Sequence, residues 1–177
     1  MSDETDYPAI EILKHRARQL QRQAQDAAPD AIARLRKHPD FKTDDDATIA
    51  AQVKRRHALF VIAKELGFTD WPHATKVLCG RVAEDYGTLL YPRGGTAHTN
   101  IWSASYDEAR TLRDETDGYL LPYRNQFIVV EDHYIRTLGL DPDDAYWAPL
   151  NRDWLALGGQ AARSHLYAKL LEVSTTP

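Results

Sequence analysis

Residues 118–141 read GYLLPYRNQFIVVEDHYIRTLGLD, and this stretch decides the fold of the C-terminal half. Two runs rich in apolar and aromatic residues, 119–123 and 126–131, flank Arg124-Asn125. Their spacing predicts a β-hairpin with a two-residue turn. Pro122 has no backbone N–H to donate, which predicts that the first of these strands lies at the edge of its sheet.

A series of short helices is predicted after this hairpin. Asp132 can cap the first, which runs from His133 to Leu138, and Gly139 can close it. Asp141-Pro142-Asp143-Asp144 has the composition of another helix start, with a cap, an early proline and acids in the first turn. Gly158-Gly159 then interrupt the pattern before a final helix.

A similar alternation of strands and helices precedes the hairpin. TLLYP at 88–92 and TNIWSAS at 99–105 are β-like runs, and the loop RGGTAH at 93–98 joins them, so we expect a first hairpin here. Ser105 and Glu108 form a capping box that starts a helix ending at Gly118. The predicted order of the C-terminal half is therefore β-β-α-β-β-α-α-α.

The N-terminal half has the pattern of helices throughout. Pro29-Asp30 opens a short second helix, and a long third helix is expected from about Asp46 to Leu66, with Gly67 after its end and Asp70 capping a fourth. The first helix carries apolar residues at steps of three and four: Ile10, Leu13, Ala17, Leu20 and Ala24. We expect an α+β protein with a bundle of about four helices over residues 1–80 and a small α+β domain over residues 81–177.

One segment of the helical half matches a known pattern. HALFVIAKELGFTDWPHATKVL at 57–78 follows a helix that begins ILKHRARQLQRQ at 12–23. Residues 8–79 thereby resemble the helical leader that precedes ankyrin repeats in many bacterial proteins. The resemblance implies a helical packing unit that favours protein contacts, and it implies no catalytic residues. The T-P-L-H-x-A signature and the 33-residue period of ankyrin repeats do not follow. The matching positions are Ala58, Val61, Ile62, Ala63, Glu65, Gly67, Phe68, Trp71 and Pro72.

Bulk composition narrows the function classes. A formal net charge of −4 gives no electrostatic reason to approach nucleic acid. The opening residues MSDETDYP lack the basic and apolar regions of a secretory signal, and no apolar run is long enough for a membrane span, so we expect a soluble cytoplasmic protein. The single cysteine, Cys79, excludes an internal disulfide and any zinc site built from several cysteines.

The C-terminal half concentrates the residue types of recognition surfaces. Eight of the nine tyrosines and three of the four tryptophans lie within residues 86–177, and arginine is the main cation there. We expect a binding protein for an anionic small molecule or an acidic partner, or one that associates with its own copy; alternatively, the aromatic residues fill the core. The candidate ligand-binding residues are Tyr91, Arg93, Thr96, Trp102, Tyr123, Arg124 and Arg152.

The alternative function is a small enzyme. His98, Glu131 and His133 can act as general acid and base on an anionic substrate, although Glu131-Asp132-His133 is more simply explained as the junction between a strand and a helix. These two histidines with Glu131 or Asp132 could also bind zinc or non-haem iron, but no H-x-x-x-H or H-x-H pair supports a metal site, and we predict no cofactor. The remaining histidines are predicted to be surface or packing residues: His15, His38, His57, His73 and His165.

Overall fold

The computed structural model describes residues 7–91 and 100–174 of an α+β protein. Its backbone forms two compact units. One unit comprises residues 11–74, and the other joins residues 7–10 to the described residues from 75 onward. Within the described ranges, no helix combines the length and the apolar character needed to cross a membrane.

The first unit is helical. The predicted apolar stripe of its first helix is confirmed, because Leu13, Ala17 and Ala24 are completely buried. Gly67 follows the helix at residues 55–65 and has a left-handed φ of +89°. Phe68 N donates a hydrogen bond to Ala63 O at 3.0 Å, which is the bonding pattern expected where a glycine ends a helix. The helices that begin in residues 7–74 are α1 (Pro8–Gln25), α2 (Pro29–Leu35), a 3₁₀ turn (Pro39–Phe41), α3 (Asp46–Gln52), α4 (Arg55–Glu65) and α5 (Trp71–Leu78).

The expected long third helix is instead two helices, α3 and α4. Val53 and Lys54 have extended ψ angles of 128° and 162°, which end one helix and start the next. The ring of His57 lies at this break, with its Nδ1 3.1 Å from Lys54 N.

The second unit contains a three-stranded antiparallel sheet within the described residues, in the order β1 (Ile101–Ser103), β3 (Gln126–Val130) and β2 (Tyr119–Tyr123). The predicted hairpin is confirmed, with Arg124-Asn125 as its turn, and Pro122 lies in the edge strand β2 as expected. Part of that edge is occupied, because Leu120 N donates to Arg152 O at 2.8 Å. The elements are β1 (Ile101–Ser103), α6 (Tyr106–Thr116), β2 (Tyr119–Tyr123), β3 (Gln126–Val130), α7 (Asp132–Thr137), a 3₁₀ helix (Ala145–Leu150) and α8 (Gln160–Val173).

The first predicted hairpin differs from the structure. Residues 88–91 form a turn rather than a strand, with Tyr91 N donating to Thr88 O at 3.0 Å. Strand β1 pairs instead with β3, placing Trp102 opposite Ile128. An apolar run has no local signal for its partner, and β3 offers a free edge for β1 opposite to β2. The loop at 93–98 and Pro92 lie outside the described residues.

Three helix ends also differ from expectation. Asp117, with φ of 51°, is the left-handed residue that ends α6, while Gly118 is needed because a Cβ there would lie 2.8 Å from Val130 O. Glu131 rather than Asp132 is the residue before α7, and it makes no side-chain capping hydrogen bond. Asp144, not Asp141, accepts the capping hydrogen bond of the next helix, from Tyr146 N, and that helix is 3₁₀.

The two faces of the sheet have different surroundings. Leu120 and Val129 are buried against Ala109 of α6 on one face. Because side chains alternate along a strand, Leu121 and Tyr123 point to the opposite face. Much of the aromatic content lies in the core, as the alternative interpretation of the composition predicts; the fully buried examples are Tyr119, Tyr134, Trp154 and Tyr167.

Candidate functional site

Three of the predicted ligand-binding residues form one cluster at the tip of the hairpin. The ring centroids of Tyr91 and Trp102 lie 5.3 Å apart, those of Tyr91 and Tyr123 lie 5.3 Å apart, and those of Trp102 and Tyr123 lie 5.4 Å apart. All three pairs meet edge to face, which is a favourable arrangement of aromatic rings. Trp102 is nevertheless 43% exposed. We call Tyr91, Trp102 and Tyr123 the aromatic cluster.

Strand register explains why Trp102 and Tyr123 meet. Trp102 is opposite Ile128 on β3, and Ile128 is opposite Leu121 on β2. Directly opposite residues point to the same face, and so do residues two apart on one strand. Trp102, Leu121 and Tyr123 therefore share the face that α6 does not cover. The sequence offered no signal for this register, because α6 lies between β1 and both other strands along the chain.

Tyr91 is held by a buried hydrogen bond from α7. The Tyr134 hydroxyl donates to Leu90 O at 2.8 Å, and both residues are buried. Burial raises the pKa of Tyr134 well above its usual value, so the hydroxyl keeps its proton and remains a donor. This contact attaches the turn at 88–91 to α7, and it positions the ring of Tyr91 beside the sheet.

Arg124 places a positive charge next to the cluster. It occupies the hairpin turn with φ of 51°. Its backbone is bound on both sides, since Tyr86 N donates to Arg124 O at 3.0 Å and Arg124 N donates to Gly87 O at 2.8 Å. The guanidinium carbon lies 5.8 Å from the centroid of the Tyr123 ring, within range of a cation–π contact. The turn thus combines a fixed backbone with an arginine beside exposed aromatic surface.

The structure does not bring Arg152 to this cluster. Its guanidinium lies 5.1 Å from the centroid of Tyr119, at the other end of β2 from Tyr123. Four residue steps along an extended strand span about 13 Å. Arg152 also forms an ion pair with Asp117 at 2.9 Å and donates to the backbone carbonyl of that residue. Its observed role is to hold the end of α6.

The predicted acid–base residues are only partly described. Glu131 and His133 are exposed at the end of β3 and the start of α7. Asp132, between them, lies 4.0 Å from Arg136 as an exposed ion pair. His98, Arg93 and Thr96 lie outside the described residues. The catalytic and metal-binding roles of His98, Glu131 and His133 therefore stay predictions.

No family model, curated protein or solved structure matches this chain. The chemistry of its own side chains is what indicates function. A partly exposed aromatic cluster beside an arginine can contact a planar group and bind a carboxylate or phosphate at the same time. The aromatic cluster with Arg124 is accordingly the candidate binding surface.

A buried polar network lies on the α6 face of the sheet. Asp153, 4% exposed, accepts a hydrogen bond from the Tyr106 hydroxyl at 2.7 Å and lies 3.6 Å from Arg113 Nη1. Burial, with the neighbouring Asp153 carboxylate, raises the pKa of Tyr106 to about 12. Leu155 N also donates to this carboxylate, at 2.9 Å. Each partner is explained by packing α6 against the loop that carries Asp153, so the network is structural.

Sequence reasoning missed a second cluster, in the helical unit. His38, Asp40 and His57 each present one potential metal-ligand atom, and these atoms lie within 4.8 Å of one another. The rings of His38 and His57 have centroids 4.8 Å apart. The H-x-D spacing of His38 and Asp40 could have suggested two of the three, since a turn places both side chains on one side. His57 could not have been added, because its position depends on how α4 packs.

Proposed function

We propose that the C-terminal unit is a binding module for a ligand that carries carboxylate or phosphate groups, either an anionic small molecule or an acidic partner protein. Trp102 supports this proposal most directly, because it is 43% exposed yet lies edge to face with Tyr91 and Tyr123. An aromatic side chain held in place before binding loses little conformational freedom when the ligand arrives.

Arg124 supplies the charge in this proposal. Its planar guanidinium can donate two parallel hydrogen bonds to a carboxylate or phosphate, which a lysine cannot do. Arg93 and Thr96 belong to the segment between Tyr91 and β1 in the sequence, and we propose them as further donors to the same anion. The ligand then lies with its apolar part on the aromatic cluster and its anionic part toward the arginines.

The helical residues 8–79 have a separate role in the proposal. Their resemblance to the leader of bacterial ankyrin-repeat proteins supports a role in protein contacts, including association with a second copy of the chain. The C-terminal unit would then recognise the ligand while the helical unit binds another protein.

Titration calorimetry of the full chain with inorganic phosphate and with a polyglutamate peptide tests the proposal. We expect binding of at least one probe, and Arg124→Gln should weaken it about 10- to 100-fold, because a charge-assisted hydrogen bond contributes about 1.5–3 kcal/mol. Trp102→Ala should weaken it to a similar extent if the cluster provides the apolar contact. Binding of phosphate indicates a small anion, and binding of the peptide alone indicates an acidic protein.

Arg110→Gln is the matched control. Arg110 is exposed and lies 5.7 Å from the ring of Tyr106, so it makes the same kind of contact away from the cluster. We expect this variant to bind like the parent. Failure of both probes to bind, or equal weakening by Arg110→Gln and Arg124→Gln, would contradict the proposed surface.

A further inference from the structure

A second site lies in the helical unit, at the 3₁₀ turn Pro39–Phe41 and the start of α4. His38 precedes this turn, Asp40 lies within it, and His57 is in the first turn of α4. His57 is 3% exposed, His38 is partly buried, and the carboxylate of Asp40 is 53% exposed. Two sheltered imidazoles thus lie beside one carboxylate that reaches solvent.

The distances suit one small cation. His57 Nε2 lies 3.5 Å from Asp40 Oδ2. Two ligands of a tetrahedral ion with bonds of about 2.0–2.1 Å are about 3.3 Å apart, so this pair already has the required spacing. The widest separation in the group is 4.8 Å. His38 Nδ1 lies 3.9 Å from Asp40 Oδ2, so small side-chain rotations would bring all three donors to the spacing of one ion.

A guanidinium currently takes the place of a cation between these ligands. Arg56 Nε donates to His57 Nε2 at 3.0 Å, and Arg56 Nη2 lies 3.8 Å from Asp40 Oδ2. The side chain of Arg56 is 71% exposed, so it can leave without disturbing the core. Because the Nε–H of Arg56 points at the His57 lone pair, a metal ion would take over an interaction that already exists.

Two N–H groups face the ring of His57, but the neutral ring can accept only one hydrogen bond. Lys54 N faces its Nδ1 at 3.1 Å while Arg56 Nε faces its Nε2 at 3.0 Å, but a neutral imidazole has one lone pair. The contact with Arg56 requires that lone pair at Nε2. A metal ion there needs the same tautomer, and Lys54 N then loses its acceptor in both cases.

We propose that His38, Asp40 and His57 bind a divalent transition-metal ion of the zinc class, with water completing the coordination. Two imidazoles and one carboxylate are donors that zinc, cobalt, nickel and copper accept, whereas magnesium and calcium prefer sites made of oxygen. The site lies apart in sequence from the aromatic cluster and does not depend on its function.

Two variants of opposite effect test the site in the full chain. Calorimetry with Zn²⁺ and the visible absorption of bound Co²⁺ report binding without any assay of activity. Asp40→Asn should weaken binding at least about 10-fold, because it removes a charged ligand. Arg56→Gln should strengthen binding roughly 3- to 10-fold, because it removes a competing donor and a like charge near the ion.

Arg55→Gln is the control for Arg56→Gln. It makes the same change in net charge, but its guanidinium donates to Gln21 at 3.0 Å rather than to the histidine cluster. Its affinity should equal that of the parent. His38→Gln gives a second loss of a ligand if Asp40→Asn alters the turn, and circular dichroism checks that each variant is folded.

Several results would overturn the site. The parent protein could give no heat with Zn²⁺ and no Co²⁺ absorption. Asp40→Asn and His38→Gln could both keep the parent affinity, which would place the metal on other histidines. Arg56→Gln could bind no more tightly than Arg55→Gln, which would remove the role assigned to the guanidinium. Binding of Mg²⁺ with equal affinity would show that the donors are not selective.

Discussion

Trp102 and Tyr123 meet edge to face, with ring centroids 5.4 Å apart, although they lie on strands that do not pair with each other. Their strands, β1 and β2, flank β3, so the two rings reach toward each other across the central strand. Neighbouring strands are about 4.8 Å apart, so the backbones of β1 and β2 are separated by about twice that distance. The large side chains span this gap, and Trp102 remains 43% exposed.

Trp102→Ala should cost little stability compared with a core tryptophan. We expect a loss of about 1–2 kcal/mol in the free energy of unfolding, since the residue is 43% exposed and mainly loses edge-to-face contacts. Trp154→Ala should cost about 3–5 kcal/mol, because Trp154 is fully buried and donates to the Tyr167 hydroxyl at 3.1 Å. Urea unfolding measures both. Equal losses would mean that Trp102 is a core residue and not part of a binding surface.

Tyr134→Phe should loosen the aromatic cluster without unfolding the protein. The variant loses the hydrogen bond to Leu90 O and leaves that buried carbonyl without this donor, a cost of about 1–3 kcal/mol. Because Leu90 precedes Tyr91, we expect weaker binding of phosphate or polyglutamate by the folded variant. Calorimetry at a temperature where the protein remains folded checks this. Parent-like affinity would show that Tyr91 does not need the contact from α7.

Asp153→Ala should be far more damaging than loss of an exposed ion pair. It leaves the Tyr106 hydroxyl and Leu155 N without their acceptor, at a cost of about 1–3 kcal/mol for each donor, while Arg113 keeps its ion pair with Asp114. Asp117→Asn, which removes the charge of the largely exposed partner of Arg152 and keeps a residue that tolerates a left-handed φ, should cost less than about 1 kcal/mol. Urea unfolding of the two variants gives the comparison. A small loss for Asp153→Ala would mean that water replaces the carboxylate.

Gly80→Ala and Gly158→Ala separate backbone strain from steric overlap. Both glycines have left-handed φ, +79° and +77°, which costs an alanine about 1–2 kcal/mol. A Cβ at Gly80 would also overlap the carbonyl oxygen of Gln160. Among the described residues, a Cβ at Gly158 would have only its chain neighbours within 4 Å. Thermal unfolding should therefore show a clearly larger loss for Gly80→Ala. Equal losses would indicate that the start of α8 moves away easily.

Stability should fall as the pH drops below about 6.5 in metal-free buffer. Burial lowers the pKa of His57 and of His38 from their usual value of 6.5 in the folded protein, and nearby Arg56 lowers both further while Asp40 opposes the shift. The unfolded chain then binds more protons than the folded one between the two pKa values, so acid favours unfolding. The stability that depends on neutral His38 and His57 is fully present above pH 6.5. It is lost as the pH falls from 6.5 through their lowered pKa values.

Urea midpoints between pH 7.5 and pH 5 measure this effect. His57→Asn removes one of the titrating groups and should flatten the dependence. His15→Gln, which changes an exposed histidine, is the control and should keep the parent slope. If His57→Asn also kept the full slope, another group would be responsible for the acid sensitivity.

Some helix caps and the second hairpin could be predicted from the sequence because their energies act within a few residues. Asp45 accepts from Thr48 N at 2.7 Å, Asp70 accepts from His73 N at 2.8 Å, and Ser105 accepts from Glu108 N at 3.3 Å. The two-residue turn at Arg124-Asn125 joins strands that must then pair with each other. Tyrosine and tryptophan occur both in the core and at the surface, and composition alone did not show which of these rings are buried.

Only the tertiary structure decided the pairing of β1, the break at Val53-Lys54 and the two side-chain clusters. Strand pairing depends on which edge is free once the hairpin has formed. The sequence of residues 99–105 therefore does not indicate that this segment pairs with β3. His57 meets His38 only because the start of α4 packs against the turn that follows α2. Local propensity acts along the chain, whereas binding surfaces form between residues that folding brings together from separate parts of it.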